Sequence, residues 1–167
     1  MTEQQQRITD GVRLVANAAD QSTALDWISR VGATVTAALA SWDQGELVEV
    51  PVGTAWDVVR MPRALGWKAV QQMRRSGINV GPAQHSPNGV DVLVPVGSAA
   101  AWDLPDSQVL TADALVRVPH PSFVAPRTQR GHTWIVSPQD CGPLTDADML
   151  HEAYASALVA AKMDAAR

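Results

Sequence analysis

The run Val90–Val96, VDVLVPV, entered through Asn88-Gly89, constrains the fold more than any other stretch of the chain. Asn-Gly accepts the positive φ angles of a tight hairpin turn, and the residues after it are mostly β-branched or apolar. The reading is a strand over Ile78–Ala83, a turn over Ser86-Pro87-Asn88-Gly89 and a second strand over Val90–Val96. Apolar residues fall on both faces of that second strand, so it belongs in the middle of a sheet covered on both sides. The rest of the chain has to supply the two covers.

Candidate covers precede and follow the hairpin. Residues 1–8 are polar and expected to fray, leaving 9–167 as a single domain long enough to bury a sound core. Thr9 or Asp10 can cap a helix with Val12, Val15, Ala16 and Ala19 on one face. Ser22 can cap a second one carrying Leu25, Ile28, Ala33, Val35 and Leu39, with Trp27 and Trp42 at its ends. The Thr and Val content of Val31–Thr36 works against that helix being unbroken. Glu46–Val50 alternates as an edge strand stopped by Pro51, and Trp56–Met61 reads as the next strand.

Pro62 and Gly77 then frame an amphipathic helix, Pro62–Ser76. At 100° per residue, Leu65, Gly66, Ala69, Val70 and Met73 share one arc. Arg63, Trp67, Lys68, Gln71, Arg74 and Arg75 share the other. After the hairpin, Ser98–Trp102 reads as a helical turn, with strands at Val109-Leu110, Ala114–Val118 and Thr133–Ser137. His120–Gly131 is a Pro- and Arg-rich loop. A last helix opens at Thr145 with Asp148 in a capping-box-like pattern, and Leu150, Ala153, Tyr154, Ala157, Leu158 and Ala161 form its core stripe. The expected class is α/β (α+β): a mixed sheet of about five to seven strands packed by N-terminal helices, the central amphipathic helix and a C-terminal helix.

Charge is where the composition becomes informative. The net charge of −4 hides a segregation. Residues 1–57 carry eight acids against three Arg, whereas 58–90 carry no acid and Arg60, Arg63, Lys68, Arg74 and Arg75. Residues 114–139 again lack acids and carry Arg117, Arg127 and Arg130. If the two segments share a surface, it is a basic patch on an acidic protein; otherwise they are a solvated helix face and a loop. Trp67, an aromatic among cations, can stack a nucleobase or be covered by another element such as the N-terminal helices.

Most chemistry-bearing patterns are missing. His85, His120, His132, His151 and Cys141 show no metal-ligand spacing, and no P-loop, GxGxxG turn or nucleophile elbow occurs, so no cofactor is called for. The one cysteine cannot form an internal disulfide, which fits a cytoplasmic protein, and no apolar run reaches the roughly 20 residues of a membrane span.

Two stretches nevertheless resemble a known family. Asn79-Val80-Gly81 with Gly89–Val96, and Thr128–Val136 around Gly131-His132-Thr133-Trp134, are similar to the bacterial bifunctional DNA primase/polymerase N-terminal (prim-pol) domain. Within it, Trp56–Gly66, Val94–Trp102 and Pro143–Leu150 resemble small prim-pol-like proteins. The resemblance implies a related mixed sheet and a nucleotide-supporting role for His132. It also implies two metal-binding acids one residue apart at the end of the hydrophobic strand, and here those positions hold Val94 and Val96. Valine cannot ligate the Mg²⁺ ions that phosphoryl transfer requires. Asp91 lies an odd number of residues from Val94 and so faces the other side of the strand.

The sequence therefore points away from an enzyme and leaves two main readings. One is a regulatory or protein-interaction module that uses the fold as a scaffold, with a protein partner or self-association. The other is nucleic-acid or nucleotide binding through Arg63, Trp67, Lys68, Arg74 and Arg75 on the helix and Arg127, Arg130 and His132 on the loop. A Mg²⁺-dependent primase/polymerase is a remote third. Neither main reading involves a membrane.

Overall fold

The hairpin is present, with its first arm displaced toward the turn. The computed structural model describes residues 27–30, 34–138 and 144–167. In chain order its elements are α1 (Val35–Asp43), β1 (Val48–Pro51), β2 (Asp57–Met61), α2 (Arg63–Arg75), β3 (Ala83–Ser86), β4 (Gly89–Val94), β5 (Gln108–Leu110), β6 (Leu115–Val118), β7 (Thr133–Val136) and α3 (Ala147–Ala165). Residues 27–30 are also helical. The helix expected at Val12–Ala19 and the expected fraying of residues 1–8 lie outside the described residues.

Strands β3 and β4 pair antiparallel with Ser86 opposite Gly89, so Pro87-Asn88 is the turn. Gly89 has φ +137°, and a Cβ there would collide with the Met61 carbonyl, so no other residue fits. The first arm begins at Ala83, not Ile78. Pro82 has no N–H to give a ladder, and the Gly81 N–H is taken by Thr145 Oγ1 at 2.8 Å. Gly81 thus anchors the entrance to α3, and bonding to β4 begins only where the Pro82 carbonyl accepts the Leu93 N–H at 3.0 Å. Asp146, not Thr145, caps α3, accepting from the Met149 N–H, while Thr145 is fully buried as that anchor. Ser98–Trp102 forms successive turns, Ser98 to Pro95, Ala100 to Gly97 and Trp102 to Ala99, and no helix.

Five strands form one sheet in the order β5-β2-β4-β3-β7, and β1 pairs with β6 in a separate ribbon. The α+β class holds. Every ladder is antiparallel, and parallel pairing occurs among the described residues as the isolated bridge Val124–Trp134. Strand β4 is central and buried at all six positions, which is the reason its sequence does not alternate.

Each face of the sheet has its own core. On one side, Val59, Met61, Ala83, Val90, Val92 and Val94 pack against α2 (Ala69, Val70, Met73) and α3 (Leu150, Ala153, Tyr154). On the other, Val58, Leu93 and Trp134 meet the ribbon residues Val48, Val50, Val116 and Val118, with Trp27, Ile28, Ala38 and Trp42 beside them. Trp27 stacks on Trp56 at 5.3 Å and meets Trp134 edge-on at 5.5 Å. Thr34 is extended at the start of α1, so the helical chain restarts there, as the β-branched run suggests.

The α2 boundaries agree with the sequence reading: Pro62 precedes the first turn, and Gly77 follows the last with φ +74°. Gly66 packs against Val90, where even a methyl group would not fit, and this sets α2 close on the sheet. Among the described residues, no helix is long and apolar enough to cross a membrane.

Candidate functional site

The two acid-free segments adjoin along one flank of α2. Gly66, Ala69, Val70 and Met73 point into the core, which leaves Arg63, Trp67 and Arg74 within about 40° of one another on the side toward β3 and β7. The Trp67 indole N–H donates to His85 Nδ1 on β3 at 2.6 Å, with ring centroids 5.8 Å apart. This bond fixes His85 as the neutral tautomer with its proton on Nε2. Burial, then the charges of Arg63 and His132, hold the His85 pKa below the usual imidazole value. Arg63, Trp67 and His132 therefore converge on His85, and with them the first basic segment meets the second.

Farther along the same flank, Arg74 lines a cleft of about 340 Å³ with Asn79, Val80, Val124, Ile135 and Val136. Lys68 and Arg75 lie on the exposed crest of α2. Among the described residues, none of Arg63, Lys68, Arg74 and Arg75 has a carboxylate within salt-bridge distance. Four unneutralised cations on one short helix give a strip of positive potential.

The remaining predicted residues are placed differently. Arg130 faces away from α2: its Nη2 bonds Glu46 at 2.6 Å and its Nε the Gly45 carbonyl. It occupies a tight turn with Gly131, both at positive φ, closed by reciprocal bonds between Gln129 and His132. His132 is buried, its Nδ1 on the Arg130 carbonyl. The Arg127 guanidinium lies 4.9 Å over the Phe123 ring. A cleft of about 660 Å³ between α1 and β1 contains Arg117 and Arg130, each paired with an acid, Glu49 and Glu46. Its charges cancel locally, which disfavours it as an anion site.

Arg60 is withdrawn from the basic surface altogether. It makes a two-pronged ion pair with the fully buried Asp91, Nε–Oδ1 2.7 Å and Nη2–Oδ2 3.0 Å. Gln84 donates to Asp91 Oδ2 and to the Arg117 carbonyl, linking the sheet to the ribbon. The hydrogen bond to Asp91 raises the Arg60 pKa further, so the guanidinium stays charged. Asp91 faces the ribbon and Val94 the helices, the opposite-face relation that their odd spacing demands.

Val94 is buried in the helix-side core, and Val96 lies beyond the strand end, half exposed. The carboxylate that sequence reading missed is Asp57, opposite Val94 on β2. It is buried, one oxygen accepting the Gly97 N–H at 2.8 Å and the other unpartnered. Its sequence signal was its place at the first residue of a strand otherwise apolar on that face. No cluster of three or more metal-ligating side chains occurs among the described residues. Comparison with family models, curated proteins and solved structures returned no match for this chain.

Proposed function

We propose that the chain is a non-catalytic, prim-pol-like binding module whose α2 flank engages the phosphate backbone of a single-stranded nucleic acid. The observation that carries this reading is the strip Arg63, Lys68, Arg74 and Arg75, without ion-pair partners among the described residues and flanked by Trp67, His85 and His132. Helix-borne arginines hold phosphates through charge-assisted bonds, and sequence-independent binding needs no more than such a strip with an aromatic surface beside it. Trp67 is half-buried and tied to His85, so it serves the groove as a wall rather than a free stacking platform.

The non-catalytic part rests on Val94 and Val96. One is packed in the core and the other lies outside the strand, and neither side chain carries a ligand atom.

Fluorescence anisotropy of a labelled 20-nucleotide single strand tests the binding. Wild-type protein is expected to bind at low salt, and Arg63→Ala/Arg74→Ala to bind at least about tenfold more weakly. Equal affinity for both proteins would place any binding elsewhere.

A second reading, a protein-interaction module, rests on a separate observation. The outward face of α3 exposes Met149, Val159 and Met163.

A further inference from the structure

The outward face of α3 has a regular spacing that its buried face does not explain. Leu150, Ala153, Tyr154 and Ala157 point into the core. On the side turned from Leu150 and Tyr154 toward solvent and the end of α2, Met149, Glu152, Ser156, Val159 and Met163 recur at intervals of three and four, the spacing of a two-stranded coiled-coil seam. All five are exposed, Met149 at 44 %, Val159 at 58 % and Met163 at 59 %. The first three also line a cleft of about 320 Å³ with Gln72, Met73, Ser76 and Ile78. The seam runs about 21 Å along the helix. Scattered exposed apolar residues need no explanation, but three in heptad register on one helix do.

We infer that α3 pairs with α3 of a second copy of this chain, antiparallel, to form a homodimer. Charge selects the occupant and its direction. The first two turns carry Asp146, Asp148 and Glu152, and the end of the helix carries Lys162, with Arg167 after it. Lys162 flanks the seam on the same edge as Asp148, and Asp164 lies at the opposite edge. Parallel pairing would set Asp148 beside Asp148 and Lys162 beside Lys162. Antiparallel pairing about an axis next to Tyr154 and Ala155 sets Met149 against the second copy's Val159, Ser156 against its Glu152, and Asp148 against its Lys162, and leaves Met163 at the rim, past the start of the second copy's helix. Neither Asp148 nor Lys162 has an ion-pair partner within its own chain among the described residues. The small residues Ala155 and Ser156 sit at the crossing, where the helices must come closest.

This inference rests on the protein-interaction reading and names the partner within it. It is independent of the α2 strip, which lies on another helix. A single helix pair gives an interface near the lower end of the stable range, so the dimer is expected to dissociate in the micromolar range.

The test is sedimentation velocity and light scattering of the full chain from about 1 to 100 µM. A dimer that dissociates on dilution is expected. Val159→Glu/Met163→Glu should be monomeric throughout with an unchanged circular dichroism spectrum, because both side chains are exposed. Asp148→Lys should weaken the dimer by about tenfold or more, since the altered contact occurs twice, and Asp148→Lys/Lys162→Asp should restore it. A parallel pair would not show this rescue and would overturn the proposed geometry. A wild-type monomer at all concentrations overturns the homodimer. If that monomer still carries another protein from its native source, lost in Val159→Glu/Met163→Glu, the interaction reading survives; if it carries none, both fail.

Discussion

Replacing Gly66 by alanine should destabilise this protein, although in an isolated helix the same change would stabilise. Alanine is favoured over glycine inside a helix by about 1 kcal/mol. Here the new Cβ would lie 2.5 Å from Val90 Cβ and 2.9 Å from its Cγ2. Carbon atoms rest near 3.5–4.0 Å, so α2 would have to lift by about 1 Å. It cannot do so cheaply, because Ala69, Val70 and Met73 on the same face are completely buried. Overpacking of a tight core costs about 1–3 kcal/mol, and this geometry belongs at the upper end. The net expectation is a loss of about 2 kcal/mol, or a fall in Tm of roughly 4–8 °C for a chain of this size. Urea denaturation followed by tryptophan emission and circular dichroism measures it. Val90→Ala alone should cost about 2 kcal/mol through the cavity it leaves. In the double variant the Cγ contacts are relieved but the 2.5 Å contact with the Cβ of residue 90 remains, so its loss should fall only about 1 kcal/mol short of the sum. A Gly66→Ala protein as stable as wild type, or strict additivity with Val90→Ala, would refute the close seating of α2 on β4.

Two further expectations concern the polar groups inside the sheet layers. Asp91→Ala should cost about 3 kcal/mol in urea denaturation, because Arg60 and Gln84 lose their common acceptor, whereas Arg60→Met/Asp91→Leu should cost clearly less. Equal losses in the two variants would show that the pair does not act as a unit. His85 has a lowered pKa in the folded chain, so just below about pH 6.5 the unfolded chain binds more protons. Its contribution is present above that pH and is lost as pH falls toward the lower folded value. His85→Gln, which retains an acceptor for Trp67, should flatten this part of the stability profile, and an unchanged profile would assign the slope to other groups.

The elements were legible where local chemistry and burial agree. Pro62 and Gly77 bracket α2, the 3.6-residue period separates its core arc from its basic arc, and the unbroken apolar run of β4 announces a central strand. Legibility failed where a distant partner decides. Nothing near Ile78 indicates that the Gly81 N–H is claimed by Thr145, 64 residues later, so the first hairpin arm was read too early. For the same reason Thr145 passed for the cap of α3, although its hydroxyl is an internal anchor and Asp146 does the capping.

The candidate site shows the same division. The absence of acids from 58–90 and 114–139 is visible in the sequence, but which cations remain unpaired depends on the fold. Asp91 withdraws Arg60, and Glu46 withdraws Arg130, 84 residues away. The sequence leaves Trp67 either free to stack or covered by another element, and the structure ties it to His85 on β3. Four of the six tryptophans are used in the core between sheet and ribbon.

The most direct test of phosphate binding along the flank and crest of α2 is the salt dependence of single-strand affinity, measured by anisotropy between 50 and about 300 mM salt. Four phosphate contacts from Arg63, Lys68, Arg74 and Arg75 predict a log–log slope of about −3, falling in magnitude by about 0.7 for each of these residues replaced by alanine. A slope near zero, or one left unchanged by Arg63→Ala and Arg74→Ala, would contradict the assignment of this face to nucleic acid.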